Sequence, residues 1–146
     1  MTSVDVTTSV EIEAPRDRVA AFAADPSNAP HWYVRIVSVE LLTPHERQLG
    51  AKAAFVARFM GRTLRYVYEI VDDVPGERLV MRTADGPFPM ETTYTWTSTK
   101  PDTTLMTLRN RGEPAGFSTF VAPFMQPAMR RANRKDLQAL KTLMER

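Results

Sequence analysis

Charged residues in the strand-like stretches of this 146-residue chain collect on one of two alternating registers and leave the other free of formal charge. Successive side chains of a strand point to opposite faces, so this sorting decides which face is dry. Val4, Val6, Val10 and Ile12 alternate with Asp5, Glu11 and Glu13; Ala53, Phe55, Ala57 and Phe59 oppose Lys52 and Arg58. Leu64, Tyr66, Tyr68 and Ile70 oppose Arg65 and Glu69, while Leu79, Met81 and Thr83 oppose Arg82. Met90, Thr92, Tyr94 and Trp96 oppose Glu91, and Met106, Leu108 and Asn110 oppose Arg109 and Arg111. A one-residue slip would bury these charges, at several kcal/mol for each unpaired ion. The uncharged face is therefore expected to be the inside of a pocket.

Turn signals divide the chain into an α+β order. A first strand over about 4–13 is followed by a short helix with Pro15 and Asp17 in its first turn, ending near Asp25-Pro26. A second brief helical turn runs through Pro30. Six further strands are predicted at roughly 34–42, 51–60, 62–72, 77–84, 88–98 and 103–112, separated by Gly50, Gly61, Pro75-Gly76, Asp85-Gly86 and Pro101-Asp102. Short loops favour antiparallel neighbours. Phe117, Phe120, Val121, Phe124, Met125, Ala128 and Met129, continued by Leu137, Leu140, Leu143 and Met144, form the apolar stripe of a long closing helix. Pro123 and Pro127 each remove a backbone donor, so regular helix is expected after Pro127, with 117–127 distorted. A helix laid across a curved antiparallel sheet leaves space beneath it unless large side chains fill it. Ala53, Ala57 and Thr92 on the inner register help keep that space open.

Composition closes several alternatives. With 43% hydrophobic and 25% charged residues and no linker or repeat, residues 1–146 read as one domain. The chain has no cysteine, which rules out disulfides and thiolate chemistry and suits a reducing cytosol. No signal-peptide pattern and no membrane-spanning apolar run is present, so a soluble cytoplasmic protein without stable membrane insertion is expected. The net charge is only +2, and its one local excess is Arg130, Arg131, Arg134 and Lys135, partly offset by Asp136. This run reads as a solvated helix face. Without interleaved aromatics to stack bases, no nucleic-acid partner is expected.

For chemistry, the inner register offers Tyr66, Tyr68, Tyr94, Trp96, Asn110 and the Thr92 hydroxyl, with His31 near a rim. No carboxylate pair faces inward, and His31 and His45 lack clustered acidic partners, so neither paired-acid catalysis nor a metal is supported. No phosphate-cradling glycine loop or nucleophile elbow is found, and no cofactor is expected. The tyrosines and Trp96 serve either as core filling or as ligand contacts. Asn110 either ties down a loop or orients a bound polar group, and Met81, Met90, Met106, Met125 and Met129 suit either an ordinary core or a deformable wall.

The whole chain resembles the START-like helix-grip superfamily, in particular its bacterial polyketide cyclase/dehydrase and lipid-transport branch. The resemblance rests on Ile12-Glu13-Ala14-Pro15 followed by Val19 and Phe22, on Trp32, on Gly50, and on Tyr68 to Leu79 with its Val74-Pro75-Gly76-Glu77-Arg78-Leu79 turn. Tyr94, Trp96, Asp102-Thr103-Thr104, Leu137, Leu140-Lys141 and Glu145 complete it. It implies a helix-grip fold: a curved seven-stranded antiparallel sheet wrapped around the C-terminal helix, with two short helices between the first two strands and a deep cavity between sheet and helix. The expected function is binding or carriage of a small apolar, lipid-like or aromatic molecule in a neutral cavity. Its expected contacts are Phe55, Phe59, Tyr66, Tyr68, Met81, Met90, Tyr94, Trp96, Leu108, Asn110, Phe120, Phe124, Met125 and Met129. One alternative is a cofactor-independent cyclase or dehydratase, with Tyr66, Tyr68 or Tyr94 as proton donor and His31 or water as base. Another is a protein-interaction module with a vestigial cavity. A homodimer is left open.

Overall fold

The computed structural model describes residues 4–43, 48–59, 61–86, 89–113 and 122–146. Seven strands are present: β1 (Val4–Ile12), β2 (Ile36–Leu41), β3 (Lys52–Phe59), β4 (Arg62–Val74), β5 (Arg78–Asp85), β6 (Met90–Lys100) and β7 (Thr103–Gly112). They pair antiparallel in the order β1-β7-β6-β5-β4-β3-β2, so every connection except that from β1 to β2 joins sheet neighbours. The helices α1 (Arg16–Ala23) and α2 (Ala29–Trp32), with a 3-10 turn at Pro26–Asn28 between them, make the crossing from one edge strand to the other. The long helix α3 (Ala122–Met144) follows β7. The curled sheet gripping α3 is the helix-grip arrangement expected.

Charge sorting holds through the middle of the strands, with Arg62, Asp85 and Lys100 on the inner parity only at strand ends, and ion pairs reinforce it on the outer face. Arg109 donates to both carboxylate oxygens of Asp5, at 2.9 and 2.6 Å. Glu91 sits between Arg82 at 2.7 Å and Arg111 at 2.9 Å, residues that lie directly opposite it on β5 and β7. The Asp5 and Glu91 carboxyls are held below their ordinary range, chiefly by hydrogen bonds from Arg109 and Arg82. Asp72 falls on the inner parity of β4, with Leu64 and Ile70. An irregularity in pairing between Ile70 and Asp72 changes the register there, and Asp72 accepts from Arg78 at 2.7 Å. The β4–β5 turn closes with Glu77 N–H donating to the Val74 carbonyl at 2.9 Å. Pro75 and Gly76, the latter at φ +80°, supply the two conformations such a turn requires.

α3 runs along β1. Its early turns meet the strand at Asp5, whose N–H donates to Gln126 at 3.3 Å, and its last turns at Glu13, whose N–H donates to Glu145 at 2.8 Å. Lys141 donates to the Glu11 carbonyl at 2.9 Å and to Glu145 at 2.5 Å. The helix also reaches the opposite edge of the sheet, since Asp136 Oδ1 accepts from Val34 N–H at 2.8 Å, just before β2. It thus spans the open side of the curl. Regular helix begins at Ala122, earlier than expected. A proline in the first turn forfeits only a donor that has no intrahelical partner, and Pro127 costs one internal bond, offset by burial of Met125 and Met129 against Val4, Val6 and Leu64. Residues 117–121 lie outside the described part.

The densest packing lies at the C-terminal half of α3. There Leu137, Leu140 and Met144 meet Ile12, Val19, Trp32, Leu79, Trp96, Met106 and Leu108. A smaller cluster of Val4, Val6, Leu64, Met125 and Met129 holds the other half. Between these two clusters the sheet and helix do not fill the space.

Candidate functional site

A cavity of about 140 Å³ lies between the inner sheet face and the middle of α3. Phe55 from β3, Tyr66 and Tyr68 from β4, Met81 from β5, and Met90 and Tyr94 from β6 line it, with Asn110 from β7 and Met125 and Met129 from α3. Small side chains at Ala57 and Thr92 keep it open. Period-two facing explains the sheet residues, since all of them sit on the uncharged register. The rings are organised by strand pairing: Phe55 and Tyr66 are direct partners and stack at 5.5 Å with planes 6° apart, while Tyr68 meets Tyr66 edge-on at 5.1 Å.

Other expected contacts lie elsewhere. Trp96 and Leu108 point inward but belong to the packed core, because along their strands they fall nearer to where Leu137 and Leu140 close down on the sheet. Phe124 is 66% exposed, turned away from the sheet while its neighbour Met125 is buried. His31, on α2, is exposed and does not line the cavity. The Phe59 side chain, Phe120 and His45 lie outside the described residues.

Hydrogen bonds give the polar side chains definite roles. The Thr92 hydroxyl donates to Asn110 Oδ1 at 2.7 Å, its direct partner on β7, so the Tyr68 hydroxyl 2.7 Å away must donate to Thr92. Tyr68 therefore has no proton left to offer a guest. Asn110 ties two strands together at the cavity wall. The Tyr33 and Tyr94 hydroxyls share one bond at 2.5 Å, which leaves one of their two protons free. Burial raises all four phenols above their ordinary value, Tyr68 to about 12, and the shared bond and neighbouring groups add to this for Tyr33. They are donors throughout the physiological range, not bases.

Sequence reasoning missed part of the wall: Tyr33, Arg35 and Ile36 at the α2–β2 corner, Leu64 and Thr83 on the sheet, and Ala132, Asn133 and Asp136 on α3. Asp136 overturns two expectations, a solvated basic face that included it and a cavity without formal charge. It is 2% exposed, whereas Arg131, Arg134 and Lys135 are exposed. Burial pushes its carboxyl up to about 7, against the opposing effects of the Val34 N–H and the Arg35 guanidinium. Helical spacing was the available signal. Counting in steps of four and three from Met125 passes through Met129, Asn133, Asp136 and Leu140, so both polar residues lie on the buried stripe. Among the described residues no cluster of three or more His, Cys, Asp or Glu could hold a metal, and no helix is long and apolar enough to cross a membrane.

A family model described as polyketide cyclase / dehydrase and lipid transport matches residues 3–145. No curated protein matches significantly. Among solved structures, a START superfamily protein from Mycobacterium smegmatis aligns with a TM-score of 0.83 at 16% identity, over 97% of both chains. The Zhui aromatase/cyclase from a Streptomyces species also gives 0.83 at 16% identity, over 99% of this chain and 94% of its own. A Thermus thermophilus protein gives 0.79 at 22% identity, over 94% of each. These structures are alike in fold.

Proposed function

Because the chain belongs to the polyketide cyclase / dehydrase and lipid transport family, we propose that it binds a small, largely apolar molecule, aromatic or lipid-like, between the sheet and α3. The observation that carries this reading is an open space walled by stacked and edge-on aromatic rings and by methionines, beside an otherwise well-packed core. Its volume of about 140 Å³ is close to that of an apolar cavity, ~150 Å³, that takes up benzene. A single ring or a short chain segment fits within it, and a larger guest would extend toward the mouth. Affinity would come from burial at ~25 cal/mol per Å² of apolar surface, and orientation from the hydroxyl and amide groups on the wall. Unpaired hydrogen-bonding groups and deformable methionines suit a cavity that accepts more than one shape.

One observation favours a second reading, a cyclase or dehydratase: the buried Asp136 carboxyl, with its pKa near 7, opens on the same space. Such a group can take a proton from a carbon beside a carbonyl and return one to a departing hydroxyl, which leaves as water. It replaces His31 in that role, with the free Tyr66 or Tyr33–Tyr94 proton as donor.

A single set of measurements tests both. Fatty acids, quinones and flavonoid-like aromatics are added in turn, and at least one class is expected to raise the melting temperature. The same samples are incubated with an aryl β-hydroxy ketone, and loss of water is followed by absorbance. Stabilisation without turnover supports carriage, and turnover abolished by Asp136→Asn supports the enzyme. No stabilisation by any class, together with no small molecule released on denaturation, would overturn the cavity reading.

A further inference from the structure

The two faces of α3 carry different chemistry. Its one acidic residue, Asp136, is buried. On the outward side Arg130, Arg131, Arg134 and Lys135, with Gln126 and Pro127, border a single shallow depression. Arg131, Arg134 and Lys135 are exposed and Arg130 is partly so. None of the four makes an ion pair with a described residue. Arginines on the outer sheet face differ, since Arg82, Arg109 and Arg111 each meet a carboxylate. Arg130 with Arg134, and Arg131 with Lys135, are like charges four positions apart, an arrangement that costs helix stability until an anionic surface neutralises it.

Phe124 shares this side of the helix. Steps of four, three and four from it pass through Ala128, Arg131 and Lys135, so the ring and two of the cations lie on one stripe. Phe124 carries the one ring among the large apolar side chains left exposed in the described residues. The same turns of α3 wall the cavity on their inward side through Met129, Ala132 and Asp136. Beside them the corner before β2 adds exposed Val34, whose N–H donates to Asp136, and exposed Arg35, which has no ion pair with a described residue.

The distribution of charge selects the kind of partner. Protein interfaces place apolar side chains at the centre and are depleted of charge there. On α3 the cations hold the centre and the apolar side chains stand at the edge. A bilayer surface suits that order, because anionic headgroups meet the cations while a single ring enters the interface.

We propose that the outward face of α3 docks on an anionic membrane surface, with Arg130, Arg131, Arg134 and Lys135 on the headgroups and Phe124 at the acyl boundary. The attachment is peripheral and does not depend on what the cavity holds.

The test uses the whole chain and vesicles of phosphatidylcholine, either alone or mixed three parts to one with phosphatidylglycerol. Co-sedimentation is expected with the anionic vesicles only, weakening as salt is raised. Arg131→Gln with Arg134→Gln should weaken it about twentyfold, at roughly fivefold for each cation lost. Arg58→Gln with Arg65→Gln removes the same charge from the outer sheet face and should leave binding nearly unchanged. Phe124→Trp should add emission that moves to shorter wavelength on the anionic vesicles. All the substituted positions are exposed, so the fold is retained. Equal binding to both vesicle types, equal losses in the two double variants, or an unmoved emission would overturn the proposal. Binding to soluble polyglutamate with none to vesicles would assign the face to an acidic protein and overturn it as well.

Discussion

Asp136 shows how one buried residue sets a measurable property. Its carboxyl is raised from 3.8 to about 7, chiefly by burial, so the folded state holds the proton more tightly than the unfolded chain does. Stability from this group is complete below pH 4 and is lost as pH rises toward 7. The interval corresponds to about 4 kcal/mol as an upper bound. Asp5, Glu91 and Glu145 are lowered instead, so the stability they contribute is lost on acidification and does not fall as pH rises toward 7. Urea unfolding between pH 4.5 and 8 should show falling stability in the wild type and a flatter profile in Asp136→Asn. Parallel profiles would mean that the carboxyl is better solvated than its burial implies. The sequence showed Asp136 only as a charge beside four basic residues, because polarity reads as exposure until the helix is placed.

At the scale of elements, turn chemistry was legible residue by residue. The Val74-Pro75-Gly76-Glu77 signal became a closed turn in which Gly76 holds φ +80°. A Cβ there would meet Asp17 Oδ1 at 3.2 Å as well as adopt a strained backbone. Gly76→Ala is expected to lower unfolding free energy by about 1–2 kcal/mol without changing the sheet, read by chemical denaturation and circular dichroism. A neutral result would show that the turn relaxes into another type. Helix boundaries were less legible. Two prolines argued for distortion up to residue 127, yet α3 starts at Ala122, because packing of Met125 and Met129 on β1 and β4 outweighs one missing backbone bond. The inner-parity Asp72 was likewise readable only once the irregularity beside Ile70 was seen.

The molecule as a whole divides into a filled end and an open one. Leu140 is fully buried in the cluster of Trp32, Trp96 and Met106, whereas Met125, equally buried, borders the cavity. Leu140→Ala should therefore cost about 2–5 kcal/mol, and Met125→Ala less, near the low end of that range, since its neighbours already face a void on one side. Met125→Ala should also admit larger guests in the same thermal-shift panel. Equal losses in urea denaturation would mean the two ends are packed alike. Such a division suits a protein that keeps its fold while one end adapts to a guest.

Local pattern determined a good deal here: the dry face of every strand but β2, the antiparallel order of six consecutive strands, the turns, and the apolar stripe of a closing helix. These depend on short-range periodicity and on backbone chemistry carried by single residues. What remained for tertiary structure was where along the curved sheet the helix closes tightly and where it stands away. That crossing sends Trp96 and Leu108 into the core, leaves Tyr66 and Tyr68 at the wall, and draws Tyr33, Asn133 and Asp136 into the same space. Strand parity names a side chain's face, but depth beneath a helix depends on contacts between residues more than a hundred positions apart, such as Val34 with Asp136.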